Sequence, residues 1–263
     1  MRQVLFLMKV HDQPLSDVVR YLDSKRGLTL DDMEPEYQGY LRVLRRFVSL
    51  TPHTRILEIG TGTGWFPLLC CRDGYQCKGI EISPQLIDFA RQLGQTYGLD
   101  PDIELGNIEE ADIGDSLYDA IFANSVFEHI EHWPFALERA CRALKPGGML
   151  FFASTNKFSL VSDEYKFPLY GWLPDAWRYS LRISRQGPDI MHLGVDFNQF
   201  TYPGLRRAFR RAGFSRVMDR IDLAEQDRFP SHVRFLIKTA RAIPPLRHLV
   251  LTFSRATLFV CIK

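Results

Sequence analysis

The stretch Glu58-Ile59-Gly60-Thr61-Gly62-Thr63-Gly64 joins a short apolar run to a segment that reads as a helix start at Trp65–Pro67. Glycines allow a tight bend and let a ligand approach the main chain. The helix start beyond them offers free N–H groups and a partial positive charge. The spacing is G-x-G-x-G, because Trp65 stands where the last glycine of a G-x-G-x-x-G dinucleotide loop would be. Glu58 lies two places before the first glycine. A negative charge there suits a ligand carrying an ammonium and a sulfonium better than one carrying a pyrophosphate. Glu81 ends a second apolar run about twenty residues on, where a carboxylate can accept both hydroxyls of a ribose.

Two histidines are candidates for proton removal. His129, in Glu128-His129-Ile130, follows a predicted strand at the end where open α/β sheets bind ligands. Its alternative role is to order that loop through backbone bonds. His192, in Met191-His192-Leu193-Gly194, precedes an aromatic-rich turn from Phe197 to Tyr202 and reads equally well as a surface loop residue. His132 reads as a helix-start residue. The five cysteines form no C-x-x-C pair, which argues against a zinc site or a disulfide framework and for a reducing cytoplasm. No metal site is expected.

The elements that must position these residues alternate. Residues 1–50 read as a helical cap, with Leu15, Val18, Val19 and Leu22 on one face and Tyr37, Tyr40, Leu44, Phe47 and Val48 on another. Strands are expected at Arg55–Gly60, Cys77–Ile82, Ile103–Leu105, Tyr118–Val126 and Met149–Ser154. Helices are expected from Trp65, from Ser83-Pro84 with a core face of Leu86, Phe89, Ala90, Leu93 and Tyr97, and over Phe135–Leu144. Lys145-Pro-Gly-Gly148 should stop the last of these. A helix at Leu205–Ala212, a strand near Val217–Leu223 and a final strand at Ala256–Ile262 complete the pattern. Such alternation predicts a parallel, doubly wound α/β sheet. The chain reads as one domain: the cap at 1–50, a cofactor core at 51–155, a substrate-cap insertion at 156–200, and a C-terminal part, 201–263, with a helical insertion at 224–255. Phe158, Tyr165, Phe167, Tyr170, Trp172, Trp177 and Tyr179 in the first insertion either line a ring-binding pocket or form a satellite core.

The stretches ILEIGTGTG (56–64), GIEIS (79–83), IELGNIEE (103–110), YDAIFANSVFEHI (118–130) and ALKPGGMLFFAST (143–155) resemble the class I S-adenosylmethionine-dependent methyltransferases, in order and at that family's spacing. The likeness covers roughly residues 50–160. The EHI and LKPGG segments are similar to small-molecule O-methyltransferases of quinone biosynthesis. The resemblance implies a Rossmann-like, seven-stranded sheet with its last strand antiparallel, with S-adenosylmethionine as cofactor and S-adenosylhomocysteine as product. It implies that Glu58, Gly60, Thr61, Gly62, Gly64 and their backbone hold the methionine part and that Glu81 holds the ribose. Ile82 and Ile108 would sandwich the adenine, and Asn124 would lie near the methionine amino group. Asn107 stands where the family often has aspartate; its amide oxygen can still accept from the adenine amino group, without the charge. Reaction would be an in-line displacement onto a small-molecule acceptor, by analogy a hydroxyl oxygen. Alternatives are methylation of a protein or RNA, or a non-catalytic protein retaining the fold. The Asn124-Ser-Val-Phe127 segment is not the Asn/Asp-Pro-Pro-Tyr motif of planar-nitrogen targets.

Composition adds bounds. The 263 residues are 46% hydrophobic and 24% charged, which is globular rather than disordered. Net charge is +2, but from Arg228 onward seven Lys or Arg occur with no Asp or Glu. Val233, Leu236, Ile237 and Ala240 interleave there with Arg234, Lys238 and Arg241, so a peripheral membrane contact through this basic segment is one expectation. Arg206, Arg207, Arg210 and Arg211 form a basic helix, but no nucleic-acid motif accompanies them and no nucleic acid is expected. Val4–Met8 is too short for a signal-peptide core.

Overall fold

Short apolar runs become central strands here because helices cover both faces of the sheet. The computed structural model describes residues 18–25, 27–161, 167–186, 198–225 and 229–263. Strands β1 (Arg55–Ile59), β2 (Gln76–Glu81), β3 (Asp102–Leu105), β4 (Tyr118–Asn124) and β5 (Leu144–Thr155) pair in parallel. With β6 (Arg216–Asp219) and β7 (Ala256–Ile262) they make a seven-stranded sheet of order β3-β2-β1-β4-β5-β7-β6 among the described residues. β7 runs antiparallel to both of its neighbours. The order reverses between β1 and β4, the place where an open α/β sheet forms a crevice beyond its strand ends.

The helices are α1 (Val18–Lys25), α2 (Leu30–Arg45), α3 (Trp65–Arg72), α4 (Pro84–Tyr97), α5 (Trp133–Ala143), α6 (Asp175–Gln186), α7 (Tyr202–Arg211), α8 (Arg220–Leu223), α9 (Ser231–Ala242) and α10 (Pro244–Thr252). Alternate strand residues enter separate cores, as the two-residue period requires. Leu57, Ile59, Ile121, Ala123, Leu150 and Phe152 pack with α5 and α7. Ile56, Ala120, Phe122, Met149 and Phe151 pack with Tyr37, Leu41 and Leu44 of α2 and with Phe66, Leu68 and Leu69 of α3. Ser83 caps α4 by accepting the Leu86 N–H, with Pro84 at the first helical position.

Several boundaries differ from the pattern read in the sequence. β4 ends at Asn124 rather than Val126, because Ser125 takes a left-handed conformation (φ 54°) and turns the chain into a 3-10 turn at Phe127–His129. Lys145–Gly148 does not separate helix from strand. α5 runs to Ala143 and β5 begins at Leu144, since the chain end supplies partners: Lys263 N–H donates to Gly148 O, and Gly147 N–H donates to Lys263 O. β6 stops at Asp219, whose carboxylate caps α8 in a box with Asp222. On α4 the inward residues are Leu86, Ile87, Ala90 and Gly94, while Tyr97 is exposed. Within the insertion at 224–255, Pro244-Pro245 opens a second helix after α9. The first insertion contains α6, and its Tyr170 and Tyr179 are buried about Arg178, a satellite core. Trp172 and Trp177 face outward.

Candidate functional site

The glycine turn sits at the end of β1 and leans on β2. Gly60 N–H and Thr61 N–H both donate to Ile80 O, at 2.8 and 3.2 Å. Gly60 has φ +69°, and a Cβ there would stand 2.5 Å from Val126 Cγ2. Gly64, at φ +74°, starts α3 against Ala90. Gly62 (φ +57°) is the open position, its nearest neighbour to an added Cβ being the Tyr21 hydroxyl at 3.5 Å.

The second carboxylate reaches this turn directly. Glu81 Oε2 accepts the Gly62 N–H at 2.7 Å, and Oε1 accepts the Ser83 N–H at 3.0 Å. Burial raises its pKa; the N–H bonds from Ser83, Gly62 and Ile82 oppose the rise. Glu58 is buried beside it and accepts the Thr61 hydroxyl. Burial pushes its pKa up to about 8, Thr61 opposes this, and the nearby Glu81 and Glu36 add to it.

Tyr21 on α1 lies near both carboxylates; burial, then Glu81 and Glu58, raise its hydroxyl's pKa. Asn124 is exposed at the end of β4, and its Nδ2 donates to the Tyr40 hydroxyl at 2.8 Å. Tyr40 donates in turn to Glu36 Oε1 at 2.7 Å and stacks on Trp65. Tyr21, Glu36 and Tyr40 were not singled out as site residues in the sequence. Tyr40 was legible only as part of an apolar face, because helix periodicity reports the ring and not the direction of its hydroxyl.

Ile82 is half-buried directly after Glu81. Ile108 is 4% exposed and packs with Ile80 and Ile113 in the core. Asn107 Oδ1 accepts the Glu109 N–H at 3.0 Å, so the oxygen expected to meet a ligand amine already shapes the local turn.

One strand over, a cavity of about 190 Å³ opens beyond β4 and β5, with Ser125, Glu128, Ser154, Asn156, Gln199 and Arg255 among its lining residues. Glu128, 1% exposed, enters this wall and accepts the Ser154 hydroxyl at 2.7 Å. His129 is half-buried in the same turn, with its N–H bonded to Val126 O at 2.9 Å. The turn is tied down by Asn198, whose Nδ2 donates to Phe127 O and Ile130 O and whose N–H donates to Glu128 O. The sequence marks His129 as the candidate base, whereas the cavity wall contains Glu128. His192 lies outside the described residues.

This arrangement combines a cupped glycine turn, a carboxylate bonded to it from the next strand, and a polar hollow beside them. Residues 57–152 match the methyltransferase domain family. With that match, the strand order and the antiparallel last strand give the chain the Rossmann-like fold of the class I S-adenosylmethionine-dependent methyltransferases, which its residues 57–152 resemble. Among individual proteins, it is similar to the ubiquinone biosynthesis O-methyltransferase of Methylocella silvestris, 32% identical over 134 residues, covering 47% of this chain and 51% of that one. The protein of the same name from Xanthomonas oryzae pv. oryzae is 33% identical over 119 residues, covering 42% and 49%. The chain thus spans about half the length of the curated relatives it matches. In fold it resembles a SAM-dependent methyltransferase from Archaeoglobus fulgidus (TM-score 0.57, 16% identity, 94% of this chain and 100% of that one). It also resembles Haemonchus contortus phosphoethanolamine N-methyltransferase 2 (TM-score 0.56, 16% identity, 86% and 52%), which was solved with phosphomonomethylethanolamine and S-adenosylhomocysteine.

Proposed function

We propose that this protein moves a methyl group from S-adenosylmethionine to a hydroxyl oxygen of a small-molecule acceptor. The observation that carries the reading is the bond from Gly62 N–H to Glu81, which ties the sugar-binding carboxylate to the turn that receives the amino-acid end. The residues present fit the cofactor. The Glu81 carboxylate accepts the backbone N–H groups of Gly62 and Ser83, one on each oxygen, with Ile82 beside them, and keeps lone-pair capacity for a ribose hydroxyl. Gly60 leaves no room for a side chain, while Gly62 lets a ligand reach the backbone. Glu58 supplies a charge opposite an ammonium.

When bound, S-adenosylmethionine supplies a methyl already activated on a cationic sulfur. The chain's own work is then to bind and to align. The backbone of Gly60, Thr61, Gly62 and Gly64 carries the methionine end, with Asn124 held near it by Tyr40. Ile82 and Ile108 flank the base, and Asn107 keeps its Nδ2 and a second lone pair for the ring edge. The acceptor's reacting end enters the cavity at Ser125–Glu128, where Glu128 accepts the hydroxyl proton. His129 holds the turn from within, and His192 remains a candidate base. A cavity of about 190 Å³ is smaller than the roughly 300–1,000 Å³ of drug-sized pockets. That size favours one ring-sized group over a macromolecular segment. Oxygen is favoured by the names of the curated relatives.

Calorimetry on the full chain tests the cofactor half: S-adenosylhomocysteine should bind, and Glu81→Ala should weaken it about 10- to 100-fold, the loss of charged hydrogen bonds worth about 1.5–3 kcal/mol. Equal affinity in the variant would overturn the ribose assignment. A radiolabelled methyl donor offered with a panel of phenols and catechols tests the rest. Label should appear in an ether; label on nitrogen, on carbon or on protein would replace the acceptor reading.

A further inference from the structure

The two C-terminal helices pack on the molecule unusually lightly. Of the twelve residues of α9, only Ala240 is buried. Its Phe235 and Leu236 are 69% and 60% exposed, although they are the helix's largest apolar side chains. Arg234 and Lys238 flank them and are exposed too. α10 continues the surface, since α9 and α10 contact each other, and it exposes Leu249 and Val250. Phe253, just beyond α10, stacks on exposed Trp172 with ring centroids 6.1 Å apart. Leu160, Val161 and Leu169 are exposed before Trp172, where Leu169 N–H donates to Leu160 O. Asn156 Nδ2 fastens that segment to the end of α10 through Leu251 O, Thr252 O and Ser254 O. The result is one neighbourhood of exposed apolar side chains, beyond the singly scattered residues that any surface shows.

Its charge selects the occupant. Arg234 and Lys238 are exposed cations on it, and residues 229–263 carry no Asp or Glu. A two-fold contact with a second copy would set these cations against their own equivalents. A protein partner needs a matching acidic surface, whereas an anionic bilayer supplies both negative headgroups and an apolar phase within one side chain's reach. We propose that α9, α10 and the exposed side chains of Leu160, Val161, Leu169 and Trp172 form a docking face for an anionic membrane surface. Among the described residues no helix is long and apolar enough to cross a membrane, so this contact is peripheral. Gly171 and Arg255, which line the cavity, adjoin Trp172 and Phe253 of the face, so a docked molecule holds the cavity beside the lipid.

Sedimentation of the full chain with sucrose-loaded vesicles tests this without cofactor or acceptor, so its outcome is separate from that of methyl transfer. Vesicles of 70% phosphatidylcholine and 30% phosphatidylglycerol should retain the protein at low salt, with binding falling at least tenfold as salt is raised. Pure phosphatidylcholine should retain little. Phe235→Ser with Leu236→Ser, and separately Arg234→Glu with Lys238→Glu, should each reduce binding at least tenfold. Both pairs are exposed, and S-adenosylhomocysteine binding reports that the variants remain folded. No retention on anionic vesicles, or retention indifferent to both pairs, overturns the proposal. So does a monomer–dimer change in light scattering that follows the same substitutions, which would assign the face to a second copy.

Discussion

Glu58 and Glu81 are two carboxylates held in one small volume, and burial raises the pKa of both. Glu58 therefore keeps its proton in the folded chain to about pH 8, whereas an unfolded glutamate loses it near 4.3. Between those values the folded state binds more protons, so stability falls as pH rises through that window. Denaturation midpoints measured from pH 5 to 8 should decline, and Glu58→Gln should flatten part of the slope, Glu81 accounting for the remainder. A slope unchanged by the substitution would show that Glu58 titrates normally. A cationic ligand reverses the preference, so S-adenosylmethionine affinity should rise across the same interval with release of a proton, visible as a buffer-dependent enthalpy. At Gly60 the constraint is steric. Gly60→Ala meets Val126 at 2.5 Å with φ +69°, and should cost about 1–3 kcal/mol together with cofactor affinity. Native-like stability in that variant would mean the turn relaxes easily.

At the scale of elements, the C-terminal helices are held to the sheet by charge as much as by packing. Asp219 is fully buried at the end of β6, where Oδ1 caps α8 and Oδ2 accepts from Arg247 of α10 at 3.1 and 2.5 Å. Arg247 also bonds Asp222, and Arg206 approaches Asp219 at 3.7 Å. Arg241 of α9 adds donors to Ile221 O, Asp222 O and Ala224 O. Removing one partner of a buried pair costs more than the pair contributes, because the other charge stays behind. Arg247→Ala should lower stability by about 2–4 kcal/mol in urea titrations, discounted for the part that Arg206 offsets. S-adenosylhomocysteine affinity should hold, since none of these groups touches the glycine turn. A loss below about 0.5 kcal/mol would show that packing alone seats α10.

The whole molecule depends on a strand from its far end. β7 lies between β5 and β6, and Phe259, Val260 and Cys261 are fully buried. Phe259 meets Tyr202 and Phe209 at 4.9 and 5.1 Å between ring centroids. Phe259→Ala should cost about 3–5 kcal/mol by chemical denaturation, and a cooperative single transition should persist. If the glycine turn stayed folded while β7 melted separately, the sheet would behave as two units rather than one.

What the sequence determined by itself was local in cause. Glycine spacing, the Ser83-Pro84 cap, the apolar runs and the limits of Ala256–Ile262 follow from backbone sterics and short-range periodicity, and the structure reproduces them. That Gly62 and Glu81 lie on one side of the sheet was legible too, because strand–turn–helix geometry leaves few places for either residue; the bond between them was not. Only the tertiary structure decided which neighbour of the Glu128-His129 pair enters the cavity, that Tyr21 and Tyr40 lie near the site, and that Phe235 and Leu236 face outward. Each depends on where a side chain points after distant elements have packed, and a helical period cannot tell a covered apolar face from an uncovered one.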